Sequence, residues 1–241
     1  MRSISLILIK AYLRQNLGCI INTTMFELPL FPLNTVLFPG MPLPLHIFEA
    51  RYKQMIGECL EADRLFGVVL IRHGSEALGP LAEPHTIGCT ARIMEVQPLE
   101  EGRMHITIIG ERRFRILSLK YELPYLVGEV ELHPLPVDDS DKLLPVAEQL
   151  TPKVRQYIKL LNQIEAVDLD PDNLPQDPLM LGHLAPVLLQ MPPGEKQNLL
   201  KSESAFELLD STNQVYTREI AFLRAIIEHD QDQSQNSVLQ N

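Results

Sequence analysis

Residues Phe26 to Tyr52 read FELPLFPLNTVLFPGMPLPLHIFEARY. Each proline in this stretch fixes its own φ angle and cannot donate a backbone hydrogen bond: Pro29, Pro32, Pro39, Pro42 and Pro44. This pattern excludes a helix and a regular strand inside a sheet. The apolar residues between the prolines are too many for a solvated loop. We predict stiff, extended chain along a core, with a turn at Pro39-Gly40, where proline presets φ and glycine supplies a positive φ.

The composition is typical of a soluble globular protein: 45% of the 241 residues are hydrophobic and 22% are charged. The formal net charge of −10 is unevenly distributed. Residues 1–137 hold 13 basic and 14 acidic side chains, whereas residues 138–241 hold 8 and 17. This difference predicts two structural units. It also argues against general binding to a phosphate backbone, which requires a clustered basic surface.

The three cysteines, Cys19, Cys59 and Cys89, are widely spaced and form no CxxC pair. We interpret them as small buried apolar side chains in a reducing cytoplasm. No apolar run approaches the roughly 20 residues needed to span a bilayer. The residues before Met25 lack the features of a signal peptide, because Lys10 and Arg14 interrupt the apolar run. We therefore expect residues 1–24 to be an extension outside the fold.

After the proline-rich stretch, the pattern predicts a helix at about 49–62 and then a series of short strands. The predicted strands are 66–71, 88–99, 104–110, 111–120 and 125–132, with a loop at 72–84 and a glycine turn at 100–103. Few helices are available for parallel crossovers, so these strands indicate a small closed or nearly closed β-barrel. We predict that this β domain covers residues 25–137.

From Lys142 onward the apolar period becomes helical, which predicts a small α-helical bundle as a C-terminal subdomain over residues 138–231. Pro145 and Pro152 are expected to delay or kink its first helix. Further helices are predicted at 178–190, from Pro192 to Leu209, and at 212–229. The polar residues 232–241 are predicted to be a disordered tail.

Motifs for catalysis are absent from the sequence. It contains no G-x-x-x-x-G-K-[ST] phosphate loop, no G-x-G-x-x-G, no G-x-S-x-G and no H-E-x-x-H. The seven histidines are scattered and none forms an i, i+4 pair. We therefore expect no catalytic residue, no cofactor and no metal site.

Two groups of residues are candidates for binding. Arg112, Arg113 and Arg115 could bind a carboxylate or phosphate, although a charged outer face of an edge strand explains them too. The second group, which we call the apolar strip, could capture unfolded peptide: Leu43, Leu45, His46, Phe48, Arg51 and Tyr52. Packing against the helix from Glu49 is the alternative for at least half of the strip.

As a set, LPLFPLNTVLFPGMPLPLHIFEARYKQMIGECLE, FGVVLI, GCTARIMEV and GERRFRIL closely resemble the amino-terminal substrate-binding domain of the Lon proteases. The resemblance covers residues 26 to about 135, and the helical part to about 230 is similar to the bundle that continues this domain in the family. It implies an α+β fold with a PUA-like small β-barrel. The ATPase module and the Ser-Lys peptidase module of a full Lon chain have no counterpart here, so the resemblance implies a free-standing, non-catalytic recognition domain.

Our leading hypothesis is a cytoplasmic, protein-binding module for exposed apolar or damaged segments of client proteins, working with a protease or chaperone partner. The alternative is an RNA-binding protein, because other PUA-like barrels recognise RNA. The acidic balance and the lack of tryptophan argue against nucleic acid. A small-ligand sensor is a third hypothesis, although no ligand-binding module is present.

Overall fold

The computed structural model describes residues 25–76, 81–136, 140–164 and 169–238. The predicted extension, residues 1–24, lies outside the described residues. The strands are β1 (Phe26–Leu33), β2 (Pro42–Ile47), β3 (Phe66–His73), β4 (Glu83–Pro84), β5 (Ile87–Pro98), β6 (Met104–Lys120) and β7 (Leu126–Leu132). The helices are α1 (Ala50–Glu61), α2 (Ser140–Ile164), α3 (Pro178–Leu188), α4 (Pro193–Leu200) and α5 (Ala205–Val238). A 3₁₀ turn, Glu100–Gly102, joins β5 to β6.

The chain divides into two compact units. The β unit contains the chain up to Leu135 together with Gln190–Lys201, and the helical unit contains Pro136–Leu189 and the chain from Ser202. Our predicted domains placed 193–200 in the helical subdomain, and this was wrong. Helix α4 belongs to the β unit because the Gln197 side-chain amide donates to the Ile87 carbonyl at 2.9 Å, and Leu199 and Leu200 are buried.

In the β unit, the strand pairings follow the circuit β1-β7-β6-β5-β3 and return to β1. Only the β1–β3 pair is parallel among the described pairings. Strands β2 and β4 pair on the outside of this circuit, with β6 and β3 respectively. The predicted α+β class, with one early helix, is therefore confirmed.

Strand β1 corrects our prediction that its prolines exclude it from a sheet interior. Its first half pairs with β7 and its second half with β3, and the two halves meet at Leu30. Pro29 therefore has a partner only in β7, and Pro32 only in β3. Each proline nitrogen can face the side without a partner, so neither interrupts a ladder of hydrogen bonds.

The turn predicted at Pro39-Gly40 is confirmed. Gly40 has a φ of 79°, and the Met41 amide donates to the Phe38 carbonyl at 3.0 Å. This turn packs directly on β6, because the Gly40 amide donates to the Gly110 carbonyl at 2.8 Å and the Gly110 amide donates to the Met41 carbonyl at 2.9 Å. The turn thereby fixes where β2 begins.

Strand β6 is a single strand of 17 residues, whereas we predicted two strands that meet at Gly110. The glycine is not a turn residue here. A Cβ atom at this position would lie 2.2 Å from the Phe38 carbonyl oxygen. Glycine is therefore needed for the close approach of the preceding turn.

Helix α1 agrees with the predicted helix within one residue at each end. Tyr52, Met55, Ile56 and Cys59 lie on its buried face and pack into the core of the barrel. Burial raises the pKa of the Cys59 thiol to about 11 and raises that of Cys89 as well. Both cysteines are free and buried, as predicted. The third, Cys19, lies outside the described residues.

The helical unit is built from α2, α3 and α5. Helix α2 continues through Pro145 and Pro152, because buried side chains recur along one face: Leu143, Ala147, Leu150, Val154, Tyr157, Ile158 and Leu161. Tyr157 contacts Tyr216 of α5 edge to face at 5.2 Å. In the part of the chain with described coordinates, no helix is long and apolar enough to cross a membrane.

The predicted disordered tail is wrong for residues 232–238, because α5 continues to Val238. This segment contains no glycine or proline that would end a helix. Residues 239–241 lie outside the described part of the chain.

Candidate peptide-binding surface

The two faces of β2 differ in exposure. Leu43 and Leu45 are half-buried and pack against the barrel core, and Ile47 is fully buried. Pro44 and His46, between them, are exposed. Because successive side chains of a strand point to opposite faces, β2 is anchored by its leucines and presents its other face to solvent.

Phe48 extends this exposed surface beyond the end of β2. Its side chain is 45% exposed, a large fraction for a phenylalanine. Its ring lies 5.6 Å from the His46 ring, and the His46 ring meets the His105 ring of β6 edge to face at 4.8 Å. The three rings form a continuous aromatic row across β2 and β6.

An open cavity of about 800 Å³ lies beside this row. Its lining combines β2 residues with the exposed ends of β5 and β6: Pro44, Leu45, His46, Glu95, Val96, Gln97, His105, Ile106 and Thr107. Cross-strand register explains the set, since Leu45 lies opposite Ile106 and Ile106 lies opposite Val96. The cavity is therefore lined by apolar side chains, together with polar side chains that can orient a ligand.

Arg51 and Tyr52 do not belong to this surface, contrary to our prediction. Tyr52 is 4% exposed, and its ring packs on Phe31 with the centroids 4.1 Å apart. The Arg51 guanidinium lies over the Tyr52 ring and pairs with Glu49 at 3.0 Å. Both residues follow the start of α1 at Ala50, where the chain turns toward the core. Within the apolar strip, His46 and Phe48 are exposed, whereas Leu43 and Leu45 are half-buried against the core.

Sequence reasoning missed the part of the surface that β5 supplies. Met94 and Val96 are 50% and 39% exposed, although both are large and apolar. The MEVQ segment alternates apolar and polar side chains, and such alternation usually indicates one buried face. Here the end of β5 lies outside the barrel core, so the apolar residues remain exposed.

The three arginines do not form one site. Arg112 is exposed, whereas Arg113 is 3% exposed. Arg115 is half-buried, lies 3.8 Å from Glu131 and approaches a His133 ring nitrogen at 3.0 Å. Our prediction of a basic outer face is therefore wrong for Arg113, because both faces of β6 are covered at this point: the adjacent Phe114 is fully buried too.

Among the described residues, no group of three His, Cys, Asp or Glu side chains is placed to hold a metal ion. His46 and His105 are the nearest to such an arrangement on this surface, and they contact each other through their rings.

These features define a class of protein: a small α+β domain with an aromatic row beside an open cavity. A family model for the substrate-binding domain of ATP-dependent protease La (LON) matches residues 27–215. The chain belongs to this family, as its motifs predicted. The matched region is the substrate-binding domain, which is non-catalytic.

The curated relatives support the same assignment. The chain is 29% identical over 180 residues to a Lon protease of Anaeromyxobacter dehalogenans, and 28% identical over 180 residues to Lon protease 2 of Myxococcus xanthus. Each match covers 73% of this chain and 21% of the relative. The chain thus matches about a fifth of the length of these relatives.

Solved structures share the fold. A Lon N-terminal domain protein from Xanthomonas campestris has 27% sequence identity and a TM-score of 0.58, and the match covers 77% of this chain and 95% of that one. The N-terminal domain of a Mycobacterium avium complex Lon protease has 16% identity and a TM-score of 0.61, with 80% and 98% covered.

Proposed function

We propose that this protein is a non-catalytic module that binds exposed apolar segments of unfolded or damaged proteins through the apolar strip. The observation that carries this proposal is the exposed Phe48 ring beside the cavity that Leu45 and Val96 line. Membership of the substrate-binding family supports a protein as the ligand.

Rigidity of the backbone favours binding at this surface. Pro42 and Pro44 restrict the conformations of β2, and the strand is paired to β6 along its length. A surface that is already ordered loses little entropy when a ligand binds. Burial of a client's apolar side chains then contributes about 25 cal/mol per Å² before the client's own ordering cost.

An RNA-binding function is not favoured. The hypothesis came from RNA recognition by other PUA-like barrels, and the only dense basic cluster of the sequence is divided in the structure: Arg113 is buried and Arg115 lies near Glu131. A basic surface that follows a phosphate backbone needs several exposed cations together.

The proposal includes a cytoplasmic location and cooperation with a separate protease or chaperone. Unpaired Cys59 and Cys89 support a reducing compartment. Co-purification from native cells tests the partner: recovery of a protease or chaperone is expected, and its absence under crosslinking conditions counts against a partner.

Substitution of Phe48 by aspartate tests the binding surface. We expect the affinity for a fluorescently labelled, reduced and alkylated model protein to fall by about tenfold, because an apolar contact is lost and a charge is placed at its centre. Fluorescence anisotropy measures the affinity, and prevention of client aggregation gives a second readout.

Phe222→Asp is the matched control, since Phe222 is an even more exposed phenylalanine, at 60%, on α5. Its affinity should equal that of the unmodified protein. Equal losses in the two variants would show nonspecific apolar binding, and failure of the unmodified protein to bind any unfolded client would refute the proposed function.

A further inference from the structure

A second cavity in the β unit, of about 460 Å³, has no role in the proposed peptide binding. It lies between β3, β4, the two residues that link β4 to β5, the end of β6 and the residue that follows α4. Its polar lining is formed by Arg72, Glu83, His85, Thr86, Ser118 and Lys201. Arginine, lysine, histidine and hydroxyl side chains are the groups that proteins use to bind phosphate.

The wall that carries His85 and Thr86 is held from both sides. The His85 amide donates to the Leu70 carbonyl at 2.8 Å, and the Thr86 carbonyl accepts from the Ile116 amide at 2.8 Å. This short segment is therefore fixed between β3 and β6. A fixed wall positions its side chains before a ligand arrives, which lowers the cost of binding.

The lining carries two cations, Arg72 and Lys201, and one carboxylate, Glu83, on a chain with a net charge of −10. Burial lowers the pKa of His85, and the positive charges of Lys201, Arg72 and His73 lower it further. Glu83 pairs with Arg72, and Glu129 accepts from the Ser118 hydroxyl. Among the described residues Lys201 has no carboxylate partner, so the cavity retains unneutralised cationic charge.

The remaining lining is apolar. Leu117 is 44% exposed, and Ile116 and Leu119 are half-buried beside it. Pro84 is on the same lining. The cavity thus joins a cationic end to an apolar end, and its volume suits a small molecule rather than a protein segment.

From this arrangement we infer that the cavity is a binding site for a small phosphate monoester with an apolar or aromatic body. Lys201 attracts the phosphate group, Arg72 is shared between the phosphate and Glu83, and His85 and Thr86 supply hydrogen bonds to the phosphate. The apolar body lies against Leu117. This site is separate from the apolar strip and does not depend on the proposed binding of clients.

Titration with phenyl phosphate, followed by NMR of the His85 ring and by calorimetry at constant ionic strength, tests the inference. Saturable binding is expected, with inorganic phosphate weaker because it lacks the apolar body. Lys201→Gln and Arg72→Gln are each expected to weaken phenyl phosphate binding by about tenfold, since each removes a charge-assisted contact.

Lys159→Gln is the matched control, because Lys159 is exposed on α2 and its substitution removes the same charge. Its affinity for phenyl phosphate should not change. Three results would overturn the inference: no saturable shift at tens of millimolar, an equal loss in Lys159→Gln, or tighter binding of benzoate than of phenyl phosphate. Circular dichroism of each variant establishes that it is folded.

Discussion

Replacement of Gly110 by valine is expected to destabilise the β unit by about 3 kcal/mol or more. A Cβ atom at this position would lie 2.2 Å from the Phe38 carbonyl oxygen and 3.0 Å from the carbonyl carbon. These are backbone atoms, and two hydrogen bonds between Gly110 and residues 40 and 41 hold them in place. The turn cannot move away without losing those bonds, and β2 begins at the end of the turn.

Urea unfolding followed by circular dichroism measures this loss of stability. Gly57→Ala is the control, because no atom lies within 4 Å of a Cβ built at Gly57 on α1. Alanine favours a helix over glycine, so this variant should be more stable by about 0.5 to 1 kcal/mol. Unchanged stability of Gly110→Val would show that the turn does not pack on β6. Where Gly110→Val remains folded, its client binding should also fall, since β2 carries the apolar strip.

Arg113→Glu is the second substitution with a large expected effect, a loss of about 3 kcal/mol or more in the free energy of unfolding. Arg113 is 3% exposed and lies opposite Cys89 in the β5–β6 register. A carboxylate at this position would be withdrawn from water, and removal of a charge from water is costly without a partner.

Arg112→Glu gives the comparison, because Arg112 is the preceding residue on the exposed face of the same strand. We expect its effect to stay within about 0.5 kcal/mol, as for most surface substitutions. Thermal and urea unfolding of the pair measure the difference. Equal stability of the two variants, with nucleic-acid binding lost only in Arg113→Glu, would restore the exposed anion site that the sequence suggested.

Elements whose apolar residues follow one clear period were predicted well. Helix α1 is an example, since Tyr52, Met55, Ile56 and Cys59 recur at helical spacing and form its buried face. The sequence could not show that β6 is continuous, because Gly110 is equally typical of a turn and of a close contact between strands. Only the position of Phe38 in space distinguishes the two. The place of α4 in the β unit depends similarly on one long-range contact, from Gln197 to Ile87.

The candidate site was predicted only in part, because the sequence does not show which side chains turn toward the core. Phe48 and Leu45 were identified as surplus apolar residues on a stiff chain; Phe48 is exposed, and Leu45 is half-buried on the lining of the cavity. Tyr52 was assigned to the same surface because sequence order does not show where the chain turns inward. Alternation along β6 correctly separates Arg113 from Phe114, but it does not reveal that both faces are covered. The contribution of β5 to this surface could be predicted only from the register between the strands, which the sequence does not give.

The prolines of β2 also determine how an extended ligand can bind. In the described part of the chain β2 pairs only with β6, and the register requires Leu43, Leu45 and Ile47 to make those hydrogen bonds, since Pro42 and Pro44 have no N–H to donate. Pro42, Pro44 and His46 then face the open edge of β2, and of these three only His46 has an amide hydrogen to donate. At this edge an unfolded chain therefore finds one amide donor, that of His46, and pairs poorly through its backbone. Under the proposed function, contact with such a chain depends on its side chains, and this edge is a poor template for a growing β-fibre.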